Sequence, residues 1–301
     1  TLYSVRMETW IAFTLLAVVM QSIRTASQKK LATKISIQAA TLVRFLFGIK
    51  FAIIYLVILW QVYQPDSIAL NIIFFRSGAL AGLSQILATI CLIKSLTLRN
   101  FAVGTALAKT EAMLTAILGT LFFSSALSVI GYLSVIIGVA GLLIASNWKV
   151  TFQDLADNKS IRYGAGAGLG FALASLWIRD ASLALDAPPL LSAAAVLTYM
   201  VILQTLICLG WMLLRERNQF FLIKENLALC TFVGLTGVAG SVGWFTAMSL
   251  QNAAIVKTLG QTEFVVSLLI TYFYFGEKIS TREYLGIMLI AISVVILITA
   301  T

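Results

Sequence analysis

Ten apolar segments, each close to the length that crosses a lipid bilayer, follow one another along this chain with short polar connections between them. A helix needs about 20 mostly apolar residues to cross roughly 30 Å of hydrocarbon. The composition agrees, because 60% of the 301 residues are hydrophobic and only 11% are charged. We therefore predict an all-α integral membrane protein with ten transmembrane helices. The segments are 10–26, 38–63, 72–98, 101–123, 129–146, 162–179, 190–214, 227–250, 253–275 and 284–300.

A repeat divides the chain into two units. Residues 98–133 align without a gap on residues 250–285, and the shared residues include the pair Thr-Glu at 110–111 and 262–263. Each half then holds five spans, with 7–148 as the first repeat and 158–301 as the second. An odd number of crossings makes the second half enter the membrane from the opposite side. The prediction is two five-helix inverted-topology repeats, an arrangement found in many secondary transporters.

The repeated segments also resemble a known family. Residues 100–128, followed by Gly131-Tyr132-Leu133, and the second copy ending Phe275-Gly276-Glu277-Lys278-Ile279-Ser280, resemble the EamA-type unit of the drug/metabolite transporter superfamily. The likeness covers the whole chain and is clearest in spans 4–5 and 9–10. It implies an integral membrane carrier of small metabolites, often an exporter of amino acids or related compounds. The copies differ at Ser125, which corresponds to Glu277.

Polar and charged residues within the spans are the candidate functional residues. A carboxylate near the centre of a span costs about 2.5–3.5 kcal/mol even on the lenient insertion scales, so it marks a functional site by default. The substrate-binding candidates are Lys109, Thr105, Gln261, Gln85 and Trp244, and the candidates for coupling or buried charge are Glu263, Glu111 and Arg44. For Gln85 and Trp244 the alternative is structural, because single polar residues in spans often bond across helices.

Two interpretations of Arg44 and Glu111 stay open. Arg44 lies about nine residues into span 2 and Glu111 about eleven into span 4, so they reach similar depths at a rise of about 1.5 Å per residue. They form a buried bridge between helices, or they face the cavity and bind charged groups of the substrate. Glu263 has no such partner, since Val196 takes the place of Arg44 in the second copy. A desolvated carboxylate favours its protonated form, so Glu263 is the candidate proton carrier.

The expected cavity face follows from helical spacing. Lys109 and Glu111 are two residues apart, so roughly 200° separates them around a continuous helix and they cannot share a face. The stripe of Thr105, Lys109 and Met113 is the predicted cavity face. Its counterparts in the second copy include Lys257 and Gln261.

Charge in the loops predicts the orientation. The connections after spans 1, 3, 5, 7 and 9 hold 13 of the 21 Lys and Arg residues, with Arg24 counted among them. The other side holds three, which are Arg6, Arg179 and Lys257. Short loops rich in these residues tend to stay cytoplasmic. We therefore expect an inner (plasma) membrane protein with both termini outside. The resembled family is expected to have cytoplasmic termini, so the two indications conflict, and we follow the charge.

Several other function classes are disfavoured. Histidine is absent and the three cysteines stand singly in apolar runs, so neither a metal site nor a disulfide framework is predicted, and no cofactor is expected. Residues 10–26 run long and lack a small-residue cleavage pattern, so no cleavable signal peptide is expected. The net charge of +9 is scattered over loops, which does not fit a nucleic-acid surface. The partners expected are a small-molecule substrate, the lipid bilayer and protons, with no nucleic acid. We expect a monomer, and a dimer stays an alternative.

The leading function is a secondary active transporter that exports small polar or zwitterionic metabolites, such as amino acids, by alternating access. One alternative is an importer or exchanger of a charged nucleoside-type metabolite. The other is a non-transporting membrane scaffold. An intramembrane enzyme would need a nucleophile and a base that converge, and the two glutamates lie in different halves.

Overall fold

The computed structural model describes residues 2–98, 108–146, 159–275 and 280–300, and within these ranges the regular structure is entirely helical. Thirteen helices are described. They are α1 (Leu2–Leu31), α2 (Ile37–Leu46), α3 (Ile49–Tyr63), α4 (Ile72–Thr97), α5 (Glu111–Phe122), α6 (Val129–Ala145), α7 (Lys159–Leu183), α8 (Pro189–Arg215), α9 (Gln219–Glu225), α10 (Leu227–Leu250), α11 (Ala253–Leu259), α12 (Thr262–Phe275) and α13 (Thr281–Ala300).

Six stretches in the described part of the chain are long and apolar enough to cross a membrane. They are Thr9–Leu31, Ile37–Tyr63, Ile72–Thr97, Pro189–Arg215, Leu227–Leu250 and Thr281–Thr299. Helices α5 and α6 are apolar but shorter. The remaining predicted spans are α7, which carries Arg162 and Arg179 near its ends, and the ninth, which is divided into α11 and α12. A multi-pass helical membrane protein is confirmed, and the count of ten spans stays a prediction.

Span 1 is longer than the sequence indicated. Helix α1 continues to Leu31, whereas the predicted span ended at residue 26 and Arg24 was assigned to a cytoplasmic loop. In the structure Arg24 is only 3% exposed. The cation was misassigned because a basic residue near the end of an apolar run has the same sequence pattern as a loop residue.

Polar residues at the helix starts explain where several helices begin. The side chains of Asn71 and Ser128 accept hydrogen bonds from Phe74 N at 2.9 Å and Gly131 N at 3.1 Å, capping α4 and α6. Capping side chains satisfy backbone N–H groups that have no partner within the helix. Ser280, the repeat counterpart of Ser128, caps α13, where Glu283 accepts from Ser280 N at 2.7 Å in return. The repeated serine therefore marks the start of the last span in both halves.

The main helix contacts join the two halves. Helix α1 packs on α10, α4 packs on α7, and α6 packs on α13. In the repeat, α1 and α10 correspond to α7 and α4, so the first two contacts are equivalent. Helices α6 and α13 correspond to each other, so the third contact is equivalent to itself. Glycine permits the close approaches: a Cβ on Gly243 of α10 would lie 2.5 Å from Phe13 O of α1, and one on Gly170 of α7 would lie 2.8 Å from the Ala88 Cβ of α4.

The outer surface is apolar and the interior holds the charged groups. Large aliphatic side chains such as Ile54, Leu121 and Val295 are 52%, 67% and 61% exposed. In contrast, Arg44, Lys257 and the two repeated glutamates are each less than 10% exposed. This distribution suits a chain that is surrounded by lipid, because ionisable groups in membrane proteins face the protein interior.

Candidate functional site

Both repeated glutamates lie just after a break in a helix. Helix α5 begins at Glu111 after the turn at Lys109-Thr110, and α12 begins at Thr262 after α11 ends at Leu259. At the second break Gln261 N donates to Thr258 O at 3.1 Å and Glu263 N donates to Gly260 O at 3.0 Å. These bonds reach three residues back, so the regular ladder of bonds to the fourth residue is interrupted.

The breaks occur at equivalent positions of the two repeats. Glu111 and Glu263 lie in the first turns of α5 and α12, where the positive end of the helix dipole stabilises a carboxylate. Lys257 lies in the last turn of α11, where the negative end of the dipole favours a cation. In membrane transporters, interrupted helices in matching positions of two halves are a strong indication of the binding site.

Two ion pairs join the halves across the centre of the protein. Lys257 Nζ lies 3.3 Å from Glu111 Oε1, and Lys109 Nζ pairs with Glu263 Oε2. Each pair therefore contains one residue from each repeat. Such pairs link the two halves directly.

Two further side chains connect the ion pairs. Gln21 of α1 donates from Nε2 to Glu263 Oε2 at 2.6 Å and accepts from Trp244 Nε1 of α10 at 2.8 Å. The Trp244 ring in turn lies under Lys257, whose Nζ is 4.0 Å from the ring centroid. This distance allows a cation–π interaction. We call Lys109, Glu263, Gln21, Trp244, Lys257 and Glu111 the central polar network.

Gln261 is buried and unsatisfied. It is 3% exposed, and neither its Oε1 nor its Nε2 has a hydrogen-bond partner among the described residues. The side chain fits against Gly138 of α6, where a Cβ would come within 3.1 Å of Gln261 Cδ and 2.7 Å of Ser293 Oγ. An unpaired buried amide costs free energy. Both polar atoms of the Gln261 side chain therefore remain available to bond with a ligand.

The bridge between Arg44 and Glu111, one of the two interpretations left open, does not form. The partner of Glu111 is Lys257, while Arg44 Nη1 donates to Thr89 Oγ1 of α4 at 2.7 Å. Equal depth in the membrane is necessary for an ion pair but does not place two helices next to each other. The structure also corrects the expectation that Glu263 has no partner, because Lys109 and Gln21 both bind it.

Met113 of the predicted cavity stripe is 39% exposed, and the stripe stays a prediction at this position. The argument that Lys109 and Glu111 point apart assumed one continuous helix. Because the helix is broken between them, both side chains reach the central polar network. Thr105 lies outside the described residues.

Gln85 forms a contact between helices. Its Oε1 accepts a hydrogen bond of 2.9 Å from Gln204 Nε2 of α8, which also donates to Gly82 O at 3.1 Å. This arrangement matches the structural alternative for a single glutamine in a span. No hydrogen bond described for Gln85 links it to the central polar network.

The candidate residues omitted Arg24 and Lys257. Lys257 was assigned to the loop opposite the basic side, although it is 6% exposed and paired with Glu111. A sequence signal for Arg24 existed in α1, because Gln21, Arg24 and Gln28 recur at a spacing of three and four residues. This spacing places the three polar side chains on one helix face. In an apolar span such a face is expected to point toward the protein interior.

Comparisons with known proteins identify a family and a fold for this chain. A family model described as the EamA-like transporter family matches residues 8–147 and again residues 159–299. Among the solved structures 28 chains match. One crystal structure aligns with a TM-score of 0.69 at 12% sequence identity, covering 96% of both chains, which shows a shared fold. A search of the curated proteins finds no match.

Proposed function

Because this chain belongs to the EamA-like transporter family, and is thus a membrane transporter of small molecules, we propose that it is a secondary active transporter of small polar or zwitterionic metabolites. Amino acids and related compounds are the proposed substrates, and export is the proposed direction. The observation that carries the proposal is the central polar network, where both repeats contribute charges to one buried site. Secondary transporters place their sites near the bilayer midplane, where the repeats meet.

The proposed mechanism is alternating access between two five-helix repeats, 7–148 and 158–301, of inverted topology. The exchange of helix contacts between the halves, α1 with α10 and α4 with α7, supports this symmetry. Rocking one repeat against the other would open the site to each side in turn. The ion pairs Lys109–Glu263 and Glu111–Lys257 would separate and re-form during this movement.

Proton coupling through Glu263 follows from the same movement. When Lys109 leaves Glu263, the buried carboxylate loses the cation of its ion pair, and desolvation then favours the protonated form. Re-formation of the pair would release the proton. Glu111 serves as the matched control, because Lys257 and Glu111 form the same chemical pair with Trp244 beside it.

Counterflow in proteoliposomes tests the transport proposal. Vesicles loaded with unlabelled L-threonine, L-glutamate or adenosine are given the labelled form of the same compound outside. Exchange of an amino acid supports the proposal, exchange of adenosine alone would favour a nucleoside-type carrier, and no exchange of any of the three would contradict the proposed substrate classes.

A pH gradient tests the coupling. Glu263→Gln is expected to keep counterflow but lose uptake driven by a pH gradient, whereas Glu111→Gln keeps the response to the gradient. Unchanged gradient-driven uptake in Glu263→Gln would remove Glu263 from this role.

The proposed location is the inner (plasma) membrane with both termini outside. The burial of Arg24 and Lys257 removes one cation from each side of the loop count and leaves the basic bias in place, which favours a cytoplasmic location for the basic loops. A tag on either terminus is expected to react with an impermeant reagent in intact cells. A tag that reacts only after lysis would reverse the orientation.

A further inference from the structure

Arg24 is a buried cation without a counter-charge of its own. It lies in α1, one turn beyond Gln21 of the central polar network, and is 3% exposed. Its Nε has no hydrogen-bond partner, and no ion pair joins it to a carboxylate in the described part of the chain. Glu263 and Glu111 lie near enough to interact with it electrostatically, but each is paired with a lysine.

A second buried arginine lies beside the first. A Cβ placed on Gly237 of α10 would lie 3.6 Å from Arg24 Cδ and 3.2 Å from Arg44 Cγ, so both side chains pass the same point of α10. Arg44 is 6% exposed and donates to the Thr89 hydroxyl, which carries no charge. A Cβ at Gly237 would be in ordinary contact with the Arg24 stem but tight against the Arg44 stem, which would have to shift by a few tenths of an ångström.

The buried charges of this region do not cancel. Two glutamates face two lysines in the ion pairs, and the two arginines add positive charge that no described carboxylate pairs with. Buried charges without partners are strongly unfavourable, and in a bilayer they are found mainly where they serve a function. The region is therefore complementary to a ligand with negative charge. Guanidinium groups suit carboxylate and phosphate, because their planar N–H groups can bind two oxygens at once.

We infer that Arg24 and Arg44 bind an anionic group, a carboxylate or a phosphate, of the transported substrate. This inference rests on the proposed function and specifies the substrate class of the same site. Each arginine donates N–H groups to the oxygens of the anion, next to the ion pairs that link the repeats. An anion at this position gives the arginines the counter-charge that no carboxylate among the described residues supplies. A membrane potential that is negative inside would drive a substrate with net negative charge outward, in the proposed direction.

Thermal unfolding of the purified full chain tests the site with pairs of probes that differ in charge. The pairs are succinate with succinamide and L-glutamate with L-glutamine, and inorganic phosphate is compared with chloride at equal ionic strength. At about 100-fold its Kd, a bound ligand raises the melting temperature by about 5 °C. At least one carboxylate or phosphate is expected to give such a rise, while the amides and chloride give none. Equal shifts from an amide, or no shift beyond that of chloride, overturn the inference.

Variants locate the effect. Arg24→Met and Arg44→Lys are expected to weaken binding of the active anion by about 30-fold or more. Arg76→Gln, at an exposed arginine of α4, is the matched control and keeps the full shift. Without ligand, Arg24→Met is expected to melt at or above the temperature of the wild type, because an unpaired buried charge has been removed. A lower melting temperature together with an unchanged anion shift shows a structural role and overturns the inference.

Arg24→Lys keeps the charge but not the planar group, so it keeps the fold and still loses most of the anion shift. An anion shift that persists in both Arg24→Lys and Arg44→Lys counts against the site. Counterflow of L-glutamate separates the two proposals. Binding without exchange contradicts the carrier function and leaves the anion site in place, whereas exchange that the arginine variants do not change contradicts the anion site and leaves the carrier function in place.

Discussion

The two ion pairs have the same chemistry in different surroundings. In the pair Glu111–Lys257 the lysine side chain is 6% exposed and lies against the Trp244 ring. In the pair Glu263–Lys109 the lysine side chain is 24% exposed, and the carboxylate also accepts a hydrogen bond from Gln21. The cation of the second pair is therefore partly exposed, whereas that of the first is enclosed by the protein.

This difference separates stability from movement. A sealed pair has no replacement partner when it opens, because water cannot solvate the separated charges. Lys109 is partly exposed, so it can leave Glu263 at a smaller cost in free energy. We therefore expect Glu111–Lys257 to act chiefly as a connection between the repeats, and Glu263–Lys109 to be the pair that opens during transport.

The largest effect is expected for Lys257→Met. It leaves Glu111 charged and buried without its cation, so the free energy of unfolding should fall by about 3–5 kcal/mol. Thermal unfolding of the purified protein measures this change. The double variant Lys257→Met with Glu111→Gln is the control and should recover most of the loss. A single variant as stable as the wild type would show that the pair does not connect the halves.

A smaller loss of stability is expected for Lys109→Met. Because Lys109 is more exposed, the free energy of unfolding should fall by about 1–3 kcal/mol, while counterflow of the exchanged substrate should fall more strongly than in Lys257→Met at matched folded protein. Equal losses of stability in the two variants would show that the difference in exposure between Lys109 and Lys257 does not affect the free energy of unfolding.

Trp244→Leu removes the ring beside Lys257 and the hydrogen bond to Gln21. Loss of the cation–π contact lowers stability by about 1–2 kcal/mol, and Trp244→Phe, which keeps an aromatic face, should lower it less. Thermal unfolding in the Lys257→Met background checks the cause, since the cation is then missing. A full additional loss in that background would mean that the ring acts through packing and its hydrogen bond to Gln21, and not through Lys257.

The smallest effect is the coupling between the pairs. A double-mutant cycle of Lys109→Met and Lys257→Met should give an interaction free energy of about 0.5–1 kcal/mol, transmitted through Gln21 and Trp244. Repeating the cycle with Gln21→Met should remove it. Strict additivity in the original cycle would show that the two pairs act independently.

The helix breaks show the limit of sequence patterns. The stretches containing Lys109-Thr110 and Gly260-Gln261 have no proline and lie within apolar runs, so periodicity predicts continuous helices there. The break places Lys109 and Glu111 in one network. On a continuous helix two residues at this spacing point to opposite sides, so the sequence argument had separated them. Interactions with other helices stabilise these interruptions, and a pattern along one segment contains no information on those partners.

The sequence by itself determined the class of protein, the division into two repeats, and Glu111 and Glu263 as charges within the spans, because apolar length, internal repetition and the positions of charged residues can all be read along one chain. Only the tertiary structure decided that Glu111 pairs with Lys257 and Glu263 with Lys109, and that Arg24 is buried beside Arg44. The physical reason is that charge pairing depends on which helices are neighbours. The depth of a residue in the membrane and its position in the repeat do not determine which helix lies beside it.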